Sequence, residues 1–138
     1  MQPIDPSPQR PVFEELFTDR LLAEIFPVER TGRFFEALFG DAQEGAYDIR
    51  LTFCGADAER LLFAFELRRR PGRCLACNLT YGLPEVFKRH PVIDLDGVVA
   101  RIGRVLDGRF ALLQWRIGPT EEISSDLHRI PLQVTLAV

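Results

Sequence analysis

The sequence predicts one α+β domain, in which helices pack on a five-stranded antiparallel sheet and the elements follow the order ααβββααββ. Three observations lead to this prediction. Apolar residues recur at helical spacing in some segments, they alternate with polar residues in others, and short turns join the alternating runs. The 138 residues are 46% hydrophobic and 27% charged, which is enough for one core and too short for two ordinary domains.

The first eleven residues predict a disordered arm, followed by a single domain over residues 12–138. Four prolines interrupt this arm, and each removes a backbone donor and disfavours helical angles at the residue before it. The arm also lacks the apolar stretch of a secretory signal. The three cysteines are an odd number, which fits a reducing compartment better than a disulfide framework. We therefore expect a cytoplasmic protein.

Two helices are predicted next. From Phe13 to Phe26, apolar residues fall at spacings of three and four, with Thr18 or Asp19 as the cap of the main segment. The second helix carries four apolar residues on one stripe and stops at Gly40, which can adopt the left-handed conformation of a helix end. The apolar residues of this stripe are Phe34, Phe35, Leu38 and Phe39.

Three strands are predicted to follow as a meander, over residues 47–53, 61–67 and 74–81. In the first two runs, apolar and polar residues alternate as they do in a strand with one solvated face. The turn Arg70-Pro71-Gly72-Arg73 leads into the third run.

The second half of the chain predicts two helices and two closing strands. A short helix begins near Pro84, and a longer helix, capped by Asp94 or Asp96, presents one apolar face to the sheet. The last strands cover residues 110–117 and 130–138. Pro131 indicates an edge strand or the start of a strand.

Charge and hydrophobicity exclude two classes of partner. The net charge of -3 argues against nucleic acid, because polyanion binders rely on a surplus of basic residues. No apolar run approaches the length of a membrane span. Acidic residues exceed basic ones in residues 1–65, whereas basic residues exceed acidic ones in residues 66–138. Such asymmetry favours self-association or an oriented partner.

The run from Arg68 to Arg73 is the first candidate site. Four guanidinium groups in six residues can hold a phosphate, a carboxylate or an acidic partner through forked hydrogen bonds, with Arg68, Arg70 and Arg73 as the candidate ligands. The alternative is a solvated, charged sheet edge that deters unwanted strand pairing.

A junction between a strand and a helix is the second candidate, with Asn78 and Tyr81 as possible binding residues. Free backbone N–H groups point outward at such junctions, where ligands are often bound. The alternative is that these residues only satisfy turn and cap hydrogen bonds.

The Cys74-x-x-Cys77 pair is the third candidate, as half of a metal site that His90 would join or as a redox dithiol. If this segment is a strand, side chains three residues apart point to opposite faces, so the two sulfurs could not meet. We therefore predict no metal and no cofactor, with the cysteines acting as small hydrophobic residues.

The sequence favours a non-enzymatic protein- or peptide-binding module. It contains no phosphate-binding loop, dinucleotide fingerprint, nucleophile elbow or zinc-protease motif. Phenylalanine is abundant, with 11 of 138 residues, and the phenylalanines of the predicted N-terminal helices include the five residues Phe17, Phe26, Phe34, Phe35 and Phe39. We expect that some of the five lie outside the core and form a patch for a homodimer or another partner. The alternative is a small-molecule, metal or redox site at Cys74 and Cys77.

Four stretches resemble a family of small uncharacterised bacterial proteins, over most of the chain after the arm. They are RFFEALFGD (33–41), EGAYDI (44–49), RPGRCLACNLTYGLP (70–84) and HPVI (90–93). Some members carry the label pancreas/duodenum homeobox protein, which does not fit, because a homeodomain is a basic three-helix module. The resemblance implies a bacterial cytosolic protein and no particular activity. The element order is also similar to that of type III secretion chaperones, which are acidic homodimers, although those end in a helix.

Overall fold

The structure is a computed structural model, which describes residues 9–41, 43, 45–57, 59–73, 82–106 and 111–137. It confirms the predicted class, with helices beside a five-stranded antiparallel sheet. The helices are α1 (Gln9–Leu16), α2 (Asp19–Ile25), α3 (Glu29–Phe39), α4 (Leu83–Arg89) and α5 (Leu95–Leu106). The strands are β1 (Tyr47–Ala56), β2 (Arg60–Arg69), β3 (Ala111–Ile117), β4 (Glu121–Ser124) and β5 (Leu127–Ala137).

The first predicted helix is two helices, α1 and α2. The Thr18 hydroxyl accepts a hydrogen bond from the Leu21 N–H at 3.2 Å, so Thr18 starts a new helix instead of continuing α1. Because α1 begins at Gln9, the helix includes the last three residues of the expected arm, and residues 1–8 lie outside the described residues. The predicted end at Gly40 is confirmed, with a φ of 81°.

The predicted meander is wrong. The sheet order is β1-β2-β5-β3, and β4 also pairs with β5. β2 pairs with β1 on one side and with β5 on the other, so neither side is open to residues 74–81. Residues 74–81 themselves lie outside the described part of the chain. Among the described residues, the strand that was not predicted is β4, whose four residues are all exposed and carry no alternating pattern.

Pro131 lies within β5, between β2 and the β3–β4 edge, so the prediction of an edge strand or strand start is wrong. The Pro131 carbonyl accepts a hydrogen bond from the Gly118 N–H at 2.8 Å, so the backbone of Pro131 faces the β3–β4 side. The nitrogen of Pro131, which has no hydrogen to donate, therefore faces residues 118–120. These residues lie between β3 and β4 and belong to neither strand. Proline removes at most the one bond that residue 131 could donate on this side, between the segments of β5 that pair with β3 and with β4, and the pairing with β2 continues through it.

The core lies between the helices and one face of the sheet, and it contains most of the N-terminal phenylalanines. Phe17, Phe26, Phe34 and Phe35 are all buried, whereas Phe39 is exposed. The expectation that some of the five lie outside the core therefore holds for Phe39 alone. Three of the buried phenylalanines pack edge to face against aromatic residues of the sheet and of α4. These pairs are Phe17 with Phe63 at 5.1 Å, Phe26 with Phe65 at 5.4 Å and Phe34 with Phe87 at 5.7 Å between ring centroids.

The longer helix of the second half was predicted correctly. Asp94 caps α5, since its Oδ1 accepts a hydrogen bond from the Gly97 N–H at 3.1 Å. The buried residues of α5 include Val98, Val99 and Ile102, as the apolar face required. At the first turn of α5, Asp96 accepts a hydrogen bond from the Trp115 indole N–H at 3.0 Å, which ties the helix to β3.

The other face of the sheet carries charges of alternating sign. Arg50 of β1 lies opposite Glu66 of β2, which lies opposite Arg129 of β5, which lies opposite Glu121 of β4. Arg129 and Glu121 form an ion pair at 3.1 Å. Opposite charges on neighbouring strands attract one another and keep this face hydrated.

Candidate functional site

The end of α3 presents an apolar surface. Its buried residues include Phe34 and Phe35, whereas Leu38 and Phe39 in the last turn are 42% and 57% exposed. The ring of Phe39 stacks on that of Phe35 with 6.0 Å between centroids and 8° between planes. The exposed ring is therefore supported from below by a buried one.

The arginine-rich bend lies directly beside this helix end, and Arg70 joins the two. The Arg70 guanidinium lies 5.3 Å from the Phe35 ring centroid, donates to the Gly45 carbonyl at 3.1 Å and pairs with Asp48 at 3.1 Å. Burial raises the pKa of the neighbouring Tyr47 phenol, an effect that Arg70 partly offsets. Arg70 is thus fixed in the structure and positions the bend against α3.

Arg69 and Arg73 complete the surface. Arg69 pairs with Asp126 at 2.6 Å and also donates to the Arg73 carbonyl at 3.3 Å. Arg73 donates to the neutral Gln43 carbonyl at 2.9 Å, whereas Arg69 and Arg70 each pair with a carboxylate. We call Leu38, Phe39, Arg69, Arg70 and Arg73 the α3–arginine surface.

Arg68 belongs to a different place. It points to the opposite side of β2 from Arg69, with its guanidinium 3.5 Å from Glu66, and it lines a cleft of about 300 Å³ beside β1. We call this the β1 cleft. The three candidate ligands have different partners: Arg68 contacts Glu66 in the cleft, Arg70 pairs with Asp48, and Arg73 donates to the Gln43 carbonyl.

The β1 cleft lies between the α2 region and the outer side of β1 and β2. Phe26, Val28 and Ile49 are among its apolar residues, and it also carries two carboxylates and two guanidinium groups. Its charged residues are Asp19, Asp48, Arg50 and Arg68. No local sequence pattern marks this cleft, because its residues come from three separate segments that only the fold brings together.

Four of the sequence-predicted residues lie outside the described part of the chain: Asn78, Tyr81, Cys74 and Cys77. His90 is described. Its Nδ1 accepts a hydrogen bond from the Val92 N–H at 3.2 Å, and its ring meets Phe34 edge to face at 4.9 Å. Within the described residues, no group of three or more metal-ligating side chains lies together.

We expect Gly45→Ala to destabilise the α3–arginine surface and the core beneath it. A Cβ atom at Gly45 would approach the Phe35 ring far inside van der Waals contact, and Phe35 is itself packed by Tyr47 and Arg70. Moving that ring strains the surrounding packing, so the free energy of unfolding should fall by about 1–3 kcal/mol. Urea denaturation followed by circular dichroism measures the change.

Gly82→Ala is the matched control, because nothing lies within 4 Å of the Cβ position at Gly82 and its φ of -84° suits any residue. Equal stability losses in the two variants would contradict the predicted role of the Phe35 ring.

The fold and these surfaces define an α+β domain of mixed surface charge. None of the helices among the described residues is long and apolar enough to cross a membrane. Comparison with known protein families, curated proteins and solved structures finds no match to this chain.

Proposed function

We propose that this domain is a non-enzymatic protein-binding module that pairs with a second copy of itself through the α3–arginine surface. The observation that carries the proposal is the contact between the exposed end of α3 and the arginine bend, which Arg70 and Phe35 join. Aromatic residues and arginine are enriched at protein interfaces, where a central apolar anchor is surrounded by polar groups.

Together with the neighbouring Asp41, the α3–arginine surface has the charges that a two-fold symmetric interface needs. In such an interface the same patch meets itself, so it must contain both members of each attracting pair. Asp41 is exposed at the end of α3, and its carboxylate accepts a hydrogen bond from the Gln43 N–H at 2.9 Å. Arg73 binds the carbonyl of the same Gln43. The Asp41 carboxylate and the Arg73 guanidinium thus lie close together, near the end of α3 that carries Leu38 and Phe39.

Charge along the chain supports the same pairing. The acidic excess before residue 66 and the basic excess after it agree with this pairing, in which Asp41 after the end of α3 supplies the negative charge and the bend supplies the positive ones. Another protein that presents an apolar side chain beside a carboxylate would bind the same surface. The proposal includes a bacterial cytosolic location, which the cysteine usage and the family resemblance support.

Sedimentation velocity across a micromolar concentration series tests the proposal. We expect a dimer for the wild type, and a dissociation constant at least tenfold weaker for Phe39→Ser, because the exposed ring is the apolar anchor. Ile123→Ser is the matched control, since Ile123 is 49% exposed on β4 and its loss should leave the dimer intact. A wild-type monomer at every concentration, or equal weakening by both substitutions, would contradict the proposal.

A charge exchange tests the acid–base pairing across the interface. Arg73→Glu and Asp41→Arg should each weaken the dimer by like-charge repulsion, and the double variant should restore it, because the two charges are then only exchanged. Additive weakening in the double variant would overturn this part of the proposal.

A further inference from the structure

The β1 cleft has an apolar wall that the fold leaves open to solvent. Val28 lies between α2 and α3 and is 59% exposed, the most exposed of the large hydrophobic residues described. Phe26 and Ile49 beside it are almost fully buried and form the deeper part of the cleft. An apolar group placed in the cleft would cover Val28 and remove its surface from water.

The polar side of the cleft carries charges of both signs in equal number. Asp19 pairs with Arg50 at 3.1 Å, and Asp48 lies opposite Arg68 in the register of β1 and β2. A site for a simple anion or cation would hold an excess of the opposite charge. Equal numbers of carboxylates and guanidinium groups instead match a ligand that carries one positive and one negative group.

Three of these four charges can rearrange around a ligand. The side chains of Asp19 and Arg50 are 77% and 51% exposed, so their pair contributes little to stability and costs little to open. Arg68 is 59% exposed, and its contact with Glu66 is long, at 3.5 Å. Asp48, in contrast, is already held by the fixed Arg70. Arg50 and Arg68 can therefore turn toward a carboxylate while Asp19 and Asp48 face an ammonium group.

The size of the cleft limits the ligand. About 300 Å³ stands at the lower end of the range for small-molecule sites, which is roughly 300–1,000 Å³. A single amino acid fits that volume, whereas an extended peptide of several residues exceeds it. We infer that the β1 cleft binds a free α-amino acid with an apolar side chain, with its carboxylate on Arg50 and Arg68, its ammonium group on Asp19 and Asp48, and its side chain against Val28.

Heteronuclear NMR titration of the full chain with L-phenylalanine tests the inference. We expect chemical-shift changes at the backbone amides of Val28, Ile49 and Arg50. Three ligands each remove one group: 3-phenylpropanoate lacks the ammonium, 2-phenylethylamine lacks the carboxylate, and glycine lacks the side chain. Each should bind at least tenfold more weakly than L-phenylalanine. Equal binding of 3-phenylpropanoate would overturn the zwitterion assignment, and no saturable shifts at these amides would overturn the site.

Arg68→Gln should weaken binding of L-phenylalanine at least fivefold with an unchanged thermal midpoint, because Arg68 is exposed. Arg116→Gln is the matched control, since Arg116 is an exposed residue of β3 that does not line the cleft. Equal weakening by the two substitutions would contradict the inference. The inference is independent of the proposed dimer, because Phe39→Ser should leave the binding of L-phenylalanine unchanged.

Discussion

Phe65→Ala should lower the free energy of unfolding by about 3–5 kcal/mol, the range measured for phenylalanine truncation in a core. Phe65 is fully buried on the inner face of β2, between Leu51 of β1 and Ile130 of β5. Its ring meets those of Phe26 and Phe87 edge to face, each at 5.4 Å between centroids. The truncation therefore leaves a cavity that the α2 region, α4 and the sheet all border.

The loss at Phe65 should greatly exceed that at Phe39, where the same substitution removes an exposed ring. Phe39→Ala should change the stability of the monomer by no more than about 0.5 kcal/mol. Urea denaturation followed by the fluorescence of Trp115, the only tryptophan, measures both variants. If Phe65→Ala does not fold, Phe65→Leu provides a smaller, measurable loss. Equal stability of the Phe65 and Phe39 variants would contradict the position of Phe65 at the centre of the core.

Local sequence patterns correctly predicted the helices and strands in which apolar residues recur at a regular spacing. β1 and β2 alternate from Tyr47 and from Leu61 as expected, and α5 buries the face that its spacing indicated. β4 was missed because all four of its residues are exposed, so no apolar alternation marks it. Its pairing with β5 depends on backbone hydrogen bonds and a tight turn instead.

Partner choice between strands could not be predicted from the same patterns. A short connection made residues 74–81 the expected neighbour of β2, but β5, which begins at Leu127, occupies that side. Alternation specifies which face of a strand is apolar and does not specify the partner strand. The candidate sites could not be predicted for a similar reason. Phe35 meets Arg70, and Val28 lines the same cleft as Arg68, only after segments distant in sequence have packed together.

Thr31 supplies hydrogen-bond partners for backbone groups of β1 that do not pair with β2. Among the described strands, β1 lies at an edge of the sheet, so alternate backbone groups point away from β2 and need other partners. The buried Thr31 hydroxyl accepts a hydrogen bond from the Ile49 N–H at 3.1 Å and donates to the Ile49 carbonyl at 3.4 Å. One side chain of α3 thus satisfies both backbone groups of Ile49 in a place that water does not reach.

Thr31→Val should therefore lower the free energy of unfolding by about 2–4 kcal/mol, since a buried polar group left without a partner costs roughly 1–3 kcal/mol. Thr31→Ser keeps the hydroxyl and loses a methyl group, so its loss should be only about 1 kcal/mol. Urea denaturation gives both values. Hydrogen exchange adds a local readout, because the Ile49 amide should exchange faster in Thr31→Val than in Thr31→Ser. If valine were tolerated as well as serine, the hydroxyl would not be what satisfies the β1 edge.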